Sequence, residues 1–219
     1  MSEPLFSSCV VLLHGLVRSS FAMSTMAKAL QKQGFYTVNQ GYPSRQHSIE
    51  KLANIAIDNA LEKCPKDLEI SFVTHSLGGI LVRQYLSQRP IKKLKRVIML
   101  GPPNQGSEVV DKLGALPGFK LLNGDAGMQL GTGCMSVPIQ LGAANFDVGI
   151  IAGTKSVNWM LSTLIPGVDD GKVSVQSTKL EGMRDHVELP VTHPFMMNDK
   201  RVINQVVYYL EHGYFLHTD

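Results

Sequence analysis

Short runs in which every residue is apolar alternate along this chain with longer stretches in which apolar residues recur at helical spacing. The first run, Cys9 to Leu13, is continuous and rich in β-branched residues, as a strand covered on both faces requires. Phe21, Met26, Ala29 and Leu30 then fall near helical spacing within 21–33, and Gly34 supplies a left-handed exit. A second strand, Tyr36 to Gln40, completes a β-α-β unit. Ser48 next offers an N-cap, Glu50 an acidic first turn, and Ile49, Leu52, Ala53, Ala56, Ile57, Ala60 and Leu61 one apolar stripe before Pro65. The strand Glu69 to Thr74 leads through HSLGG into a helix over Leu77 to Ser87, and Lys95 to Leu100 reads as another buried strand.

This order predicts an α/β fold: a doubly wound, mostly parallel sheet with helices on both faces and right-handed crossovers. From about 101 to 145 the pattern breaks into short apolar pieces separated by Gly and Pro, an excursion from the sheet and not a domain. Regular signals return with a strand over Val148 to Ala152, a segment around Trp159, a turn at Pro166 to Gly171, a strand over Val187 to Val191 and a helix over Asn198 to His212. At 219 residues, the span 1–219 is expected to fold as one domain.

Charge narrows the function classes. With 21 basic residues against 18 acidic ones, the net charge of +3 carries no global nucleic-acid signal. The run Lys92, Lys93, Lys95 and Arg96 reads as the solvated polar rim of a sheet. Cys9, Cys64 and Cys134 are widely spaced and odd in number, which argues against a disulfide framework and against a zinc site and fits a reducing compartment. No basic patch precedes a signal-length apolar stretch near the N-terminus, so a cytoplasmic protein without stable membrane insertion is expected. Gly131-Thr132-Gly133 lacks the strand and helix of a dinucleotide fingerprint, and the histidines lack metal-site spacing, so no metal or other cofactor is expected. The oligomeric state is left open.

Reactive groups of a parallel sheet gather at the carboxyl ends of its strands. Ser76 follows the strand ISFVT and precedes a helix, with Gly78 and Gly79 giving the small surface that a sharp turn requires. The segment Thr74-His75-Ser76-Leu77-Gly78 resembles the nucleophile elbow of the α/β-hydrolase family, with Thr74 where the usual pattern has Gly. His14-Gly15-Leu16, after the first strand, resembles the family's oxyanion loop. The resemblance implies that the backbone N–H groups of Leu16 and Leu77 meet the developing oxyanion, while His14 orients the loop. It also implies the chain order Ser, acid, His. His193, in Val-Thr-His-Pro-Phe, stands where the base belongs, ahead of His186, His212 and His217. In Pro-Gly-Val-Asp-Asp-Gly-Lys-Val-Ser-Val, Asp170 aligns with the family acid, Asp169 is its close competitor, and Asp147 suits less well.

The chain is most similar to compact lipases and esterases with little or no cap domain, which implies acyl-enzyme catalysis on a carboxylic ester. The excursion's Leu113, Leu116, Phe119, Leu121, Leu122, Met128 and Leu130 suggest a cover over the site. Trp159 and Met160 before the acid and Phe195 after the base form a candidate substrate rim, suited to a small-molecule ester with an apolar acyl group; a core role for such residues is the alternative. Thioesters and lysophospholipids fit equally. An acyltransferase or thioesterase would use the same three residues, and a catalytically silent binding protein would keep the fold without the chemistry.

Overall fold

In the computed structural model, which describes Phe6 and residues 8–157 and 159–217, six strands form one all-parallel sheet in the order β2-β1-β3-β4-β5-β6. The strands are β1 (Cys9–Leu13), β2 (Tyr36–Gln40), β3 (Ile70–His75), β4 (Leu94–Leu100), β5 (Val148–Gly153) and β6 (Asp185–Leu189). Helices α1 (Ser24–Lys32), α2 (Ile49–Leu61) and α3 (Leu77–Gln88) make the first crossovers. The excursion carries α4 (Glu108–Leu113), α5 (Phe119–Met128) and α6 (Val137–Gln140). Two short helices follow, α7 (Trp159–Ser162) and α8 (Val175–Thr178), and α9 (Lys200–His212) comes last. The expected doubly wound sheet is thus present.

Side chains that alternate along each strand build two cores. Val10 and Leu12 of β1 and Ile98 and Leu100 of β4 face one cluster with Met26 and Leu30 of α1 and Val202, Val206 and Tyr209 of α9. Cys9, Val11, Leu13, Val97 and Met99 face the other, with Leu52 and Ile57 of α2 and Ile80 and Leu81 of α3. Every β1 side chain is buried, which is why that strand reads as an unbroken apolar run. Each such Val or Leu contributes roughly 1.5–3 kcal/mol on leaving water.

Sheet register positions the site. Leu13 pairs with Gln40 on one side and Thr74 on the other, and His75 pairs with Leu100, so the carboxyl ends of β1, β3 and β4 lie level. The chain reverses its direction across the sheet between β1 and β3, and the crevice where ligands bind such sheets opens there. The basic run lies at the other end of the strands: Lys93 donates to the carbonyls of Lys66 and Asp67, and Lys95 pairs with Glu69.

Three expectations need correction. Cys9 and Cys64 form a disulfide, with their Cα atoms 6.0 Å apart. The 55-residue separation conceals this pairing, because α2 packs on the β1 face that Cys9 occupies and returns the chain beside it; only Cys134 is free, and it is exposed. Phe21 is exposed, because the first helix begins only at Ser24, after a 3-10 turn over Ser20–Met23. The last strand runs Asp185–Leu189, since Pro190 brings no N–H to the ladder, and α9 starts after Asp199, whose carboxylate accepts from the Arg201 N–H as an N-cap.

Candidate active site

Ser76 sits between β3 and α3 with φ 52° and ψ −119°, a left-handed backbone costing about 1–3 kcal/mol in a residue with a side chain. The surroundings hold it there. The Ser76 N–H donates to the Leu100 carbonyl at 2.9 Å, and the Gly79 N–H donates back to the Ser76 carbonyl at 3.0 Å. A Cβ on Gly78 would lie 2.8 Å from the Leu13 carbonyl oxygen, so β1 and the start of α3 approach closely only with glycine there. Thr74 is accommodated in full burial, its hydroxyl directed to the Ile98 carbonyl at 3.4 Å.

The loop after β1 packs directly against this turn. A Cβ on Gly15 would come 2.9 Å from His75 Nδ1 and 3.1 Å from Ser76 Cβ. His14 is fully buried and stacks on Tyr42 with ring centroids 4.1 Å apart. Its Nδ1 donates to the Gly15 carbonyl at 2.9 Å, and its Nε2 accepts the Tyr42 N–H at 3.3 Å. Burial holds the His14 pKa below its ordinary value, so the ring stays neutral and serves the loop. Leu77, at the first position of α3, belongs to the turn whose N–H groups have no intrahelical acceptor, and Leu16 lines the space above Ser76.

Asp170 and His193 meet in the interior. His193 Nδ1 donates to Asp170 Oδ2 at 2.7 Å, and the His193 N–H donates to the Asp170 carbonyl at 2.9 Å. The other carboxylate oxygen, Oδ1, accepts the N–H groups of Lys172 at 3.0 Å and Val173 at 2.9 Å. Asp169 turns elsewhere: its Oδ1 accepts from the Ser162 hydroxyl and the Gly171 N–H, which closes the turn. His193, Asp170, Ser76 and Leu16 line one cavity of about 200 Å³. Among the described residues the Ser76 hydroxyl makes no hydrogen bond to His193; bonds of this kind often tighten only when a ligand is present.

The remaining sequence candidates lie apart from this cavity. His186 is hydrogen-bonded to Thr178, His212 stacks on Tyr208, His217 pairs with Asp185, and Asp147 binds Arg184 and the Tyr209 hydroxyl. Phe195 is exposed and borders a neighbouring groove of about 640 Å³, while Met160 is exposed and absent from the cavity wall. The Trp159 side chain lies outside the described residues.

Several residues at the site carried no signal in the sequence pattern. His75 lies buried against His193, with ring centroids 4.7 Å apart, and its Nε2 donates to the His193 carbonyl at 3.0 Å. Burial first, and then the charge of His193, keep the His75 pKa well below its ordinary value. Gly101, at φ +53°, lies so near that a Cβ there would stand 3.0 Å from Asp170 Oδ2 and 3.1 Å from His193 Nδ1. Arg18 and Lys172 complete the cavity wall with Val157, Leu161 and Pro194. Ser76, Leu16 and Lys172 also border a second pocket of about 60 Å³, lined by Val109 and Val110 of the excursion together with Phe119 and Leu130, two residues the sequence had suggested as a cover. Buried Arg83 of α3 clasps that excursion, donating to Asn104, Pro138 and Gly142.

No protein-family model matches the chain, and no curated protein matches it in sequence. Solved structures do. A lipase of Bacillus licheniformis in its mature form superposes with a TM-score of 0.65 at 19% identity, covering 96% of this chain and 93% of that one. A metagenomic carboxyl esterase gives 0.68 at 16% identity over 88% of this chain and 68% of its own. A phospholipase of Legionella pneumophila gives 0.60 at 20% identity over 78% of this chain and 45% of its own. At such identities the likeness is one of architecture: the chain has the α/β-hydrolase fold of lipase-like and esterase-like proteins.

Proposed function

We propose that this chain is a serine hydrolase that cleaves a carboxylic ester through Ser76, His193 and Asp170. The observation that carries the reading is the buried 2.7 Å hydrogen bond from His193 Nδ1 to Asp170, made beside a cavity that His193 shares with Ser76. With Nδ1 committed as a donor, Nε2 is the ring's acceptor, the form in which a histidine takes a proton from serine. Ser76 Oγ attacks the carbonyl carbon as its proton passes to His193 Nε2. The tetrahedral oxyanion is met by the N–H groups of Leu16 and Leu77, each worth roughly 3–4 kcal/mol in comparable sites. The intermediate collapses as His193 protonates the departing alkoxide, and water, deprotonated by the same ring, then hydrolyses the acyl-enzyme. Asp170 stays ionised throughout and stabilises the imidazolium.

The resemblance to structures described as lipases and an esterase supports the same chemistry. The substrate is a small-molecule ester whose acyl group enters the apolar pocket beneath the excursion. That pocket, and not Phe195 or Met160, is the better-placed apolar surface. The cytoplasmic placement rested on cysteines read as unpaired and on a sequence without a signal-like apolar stretch; the Cys9–Cys64 pairing removes the first support and favours a compartment that sustains disulfides. Among the described residues no helix is long and apolar enough to cross a membrane.

The test is covalent labelling by a neutral alkyl fluorophosphonate, with the modified peptide identified by mass spectrometry. Labelling at Ser76, abolished in Ser76→Ala and accompanied by loss of ester hydrolysis, is expected. An unlabelled native protein would overturn the proposal.

A further inference from the structure

The proposed reaction leaves two cations in the wall of the Ser76 cavity without a task. Arg18 comes from the loop after β1 and Lys172 from the turn that carries Asp170, so two separate loops deliver positive charge to the mouth of one cavity. Among the described residues neither side chain forms an ion pair. The nearby acids are committed elsewhere: Asp170 to His193 and two backbone N–H groups, and Asp169 to Ser162 and Gly171.

Two like charges on one small cavity are a cost that an anion between them removes. Lys172 is partly buried, and its burial together with the Arg18 charge lowers its pKa, against the opposing pull of Asp170. Lys172 borders both the cavity of about 200 Å³ and the pocket of about 60 Å³, whereas of these two Arg18 borders only the larger and the excursion's Val109, Val110, Phe119 and Leu130 only the smaller.

We infer that the ester taken by this site bears a carboxylate or a phosphate on its alcohol, with that anion held by Arg18 and Lys172. This rests on the serine-hydrolase reading above. A charge-assisted hydrogen bond to each cation favours the anionic substrate over its neutral isostere, on the order of tenfold or more in kcat/KM. The preference weakens as salt screens Arg18, the more exposed of the two.

Matched pairs test this at low ionic strength. Para-acetoxybenzoate is compared with its methyl ester and para-acetoxyphenyl phosphate with its dimethyl ester, each kcat/KM normalised to the same ester's rate with hydroxide. The native protein is expected to prefer at least one anionic member about tenfold, and the larger ratio identifies carboxylate or phosphate. The ratio should shrink in Lys172→Gln and in Arg18→Gln and approach unity in the double variant, with an unchanged circular dichroism spectrum as the check on folding. Native protein that labels at Ser76 yet shows no anionic preference overturns this inference alone, as does a preference that survives in the double variant. Native protein that neither labels nor hydrolyses any of the four esters overturns the serine-hydrolase reading and this inference with it.

Discussion

Replacing Asp170 by asparagine tests the acid most sharply, because the hydrogen bonds around it dictate which way the new amide must point. Oδ1 of Asp170 accepts two backbone N–H groups, from Lys172 and Val173, and Oδ2 accepts the His193 Nδ1–H. An amide has one accepting oxygen. Facing that oxygen toward the two backbone donors keeps both bonds and turns the NH₂ toward His193. The opposite orientation sets the NH₂ against two donors and leaves them unpaired in a site with no solvent access, at about 1–3 kcal/mol apiece. The first orientation therefore prevails, and its NH₂ obliges Nδ1 to accept, which places the ring proton on Nε2. A histidine in that tautomer does not take the proton of Ser76.

The expected loss in Asp170→Asn is about ten-thousand-fold in kcat, near 5 kcal/mol of barrier, with little change in KM or in thermal stability. Asp169→Asn is the matched control. Its Oδ1 is the acceptor for both Ser162 and Gly171, and an amide oxygen reproduces that arrangement, so activity should stay within about threefold. Steady-state hydrolysis of a nitrophenyl acetate, with circular dichroism to verify the fold, measures both. Equal losses in the two variants, or more than a tenth of native turnover in Asp170→Asn, would refute the tautomer reasoning.

Three further outcomes follow from the same geometry. Gly101→Ala must adopt φ +53° and press against Asp170 and His193, so it should lose about 1–2 kcal/mol of stability and roughly tenfold in kcat; native-like turnover would show that the pair tolerates displacement. Cys64→Ser opens a cross-link spanning 55 residues, worth about 4 kcal/mol in the chain-entropy account, and reductant should lower the melting temperature of the native protein but not of the variant. His14, His75 and His186 are each held below their ordinary pKa of 6.5, first of all by burial. As pH falls past 6.5 the unfolded chain therefore binds protons that the folded one refuses. Stability from the neutral rings is complete above that pH and drains away below it, by up to about 1.4 kcal/mol per pH unit per ring, and a melting temperature flat from about pH 8 to about pH 5 would contradict this.

What the sequence made legible and what it hid divide along a physical line. Strands buried on both faces announce themselves as apolar runs, so β1, β5, the buried end of β4 and the turn bearing Ser76 could be read from local pattern. Asp170 and His193 were placed by chain order, yet their coupling depends on the His193 N–H reaching the Asp170 carbonyl across 23 positions, a closure that no local pattern encodes. The direction of a side chain in an irregular loop is equally nonlocal. In the three residues after His193, Pro194 lines the cavity, Phe195 turns to solvent and Met196 enters the core beside α9, so apolar character alone assigned Phe195 to the wrong surroundings for a cavity wall. Arg18 and Lys172 follow the same logic. Each looks like an ordinary loop cation until the sheet brings the two loops to one opening, and a charge becomes costly, and hence informative, only once its neighbours are known.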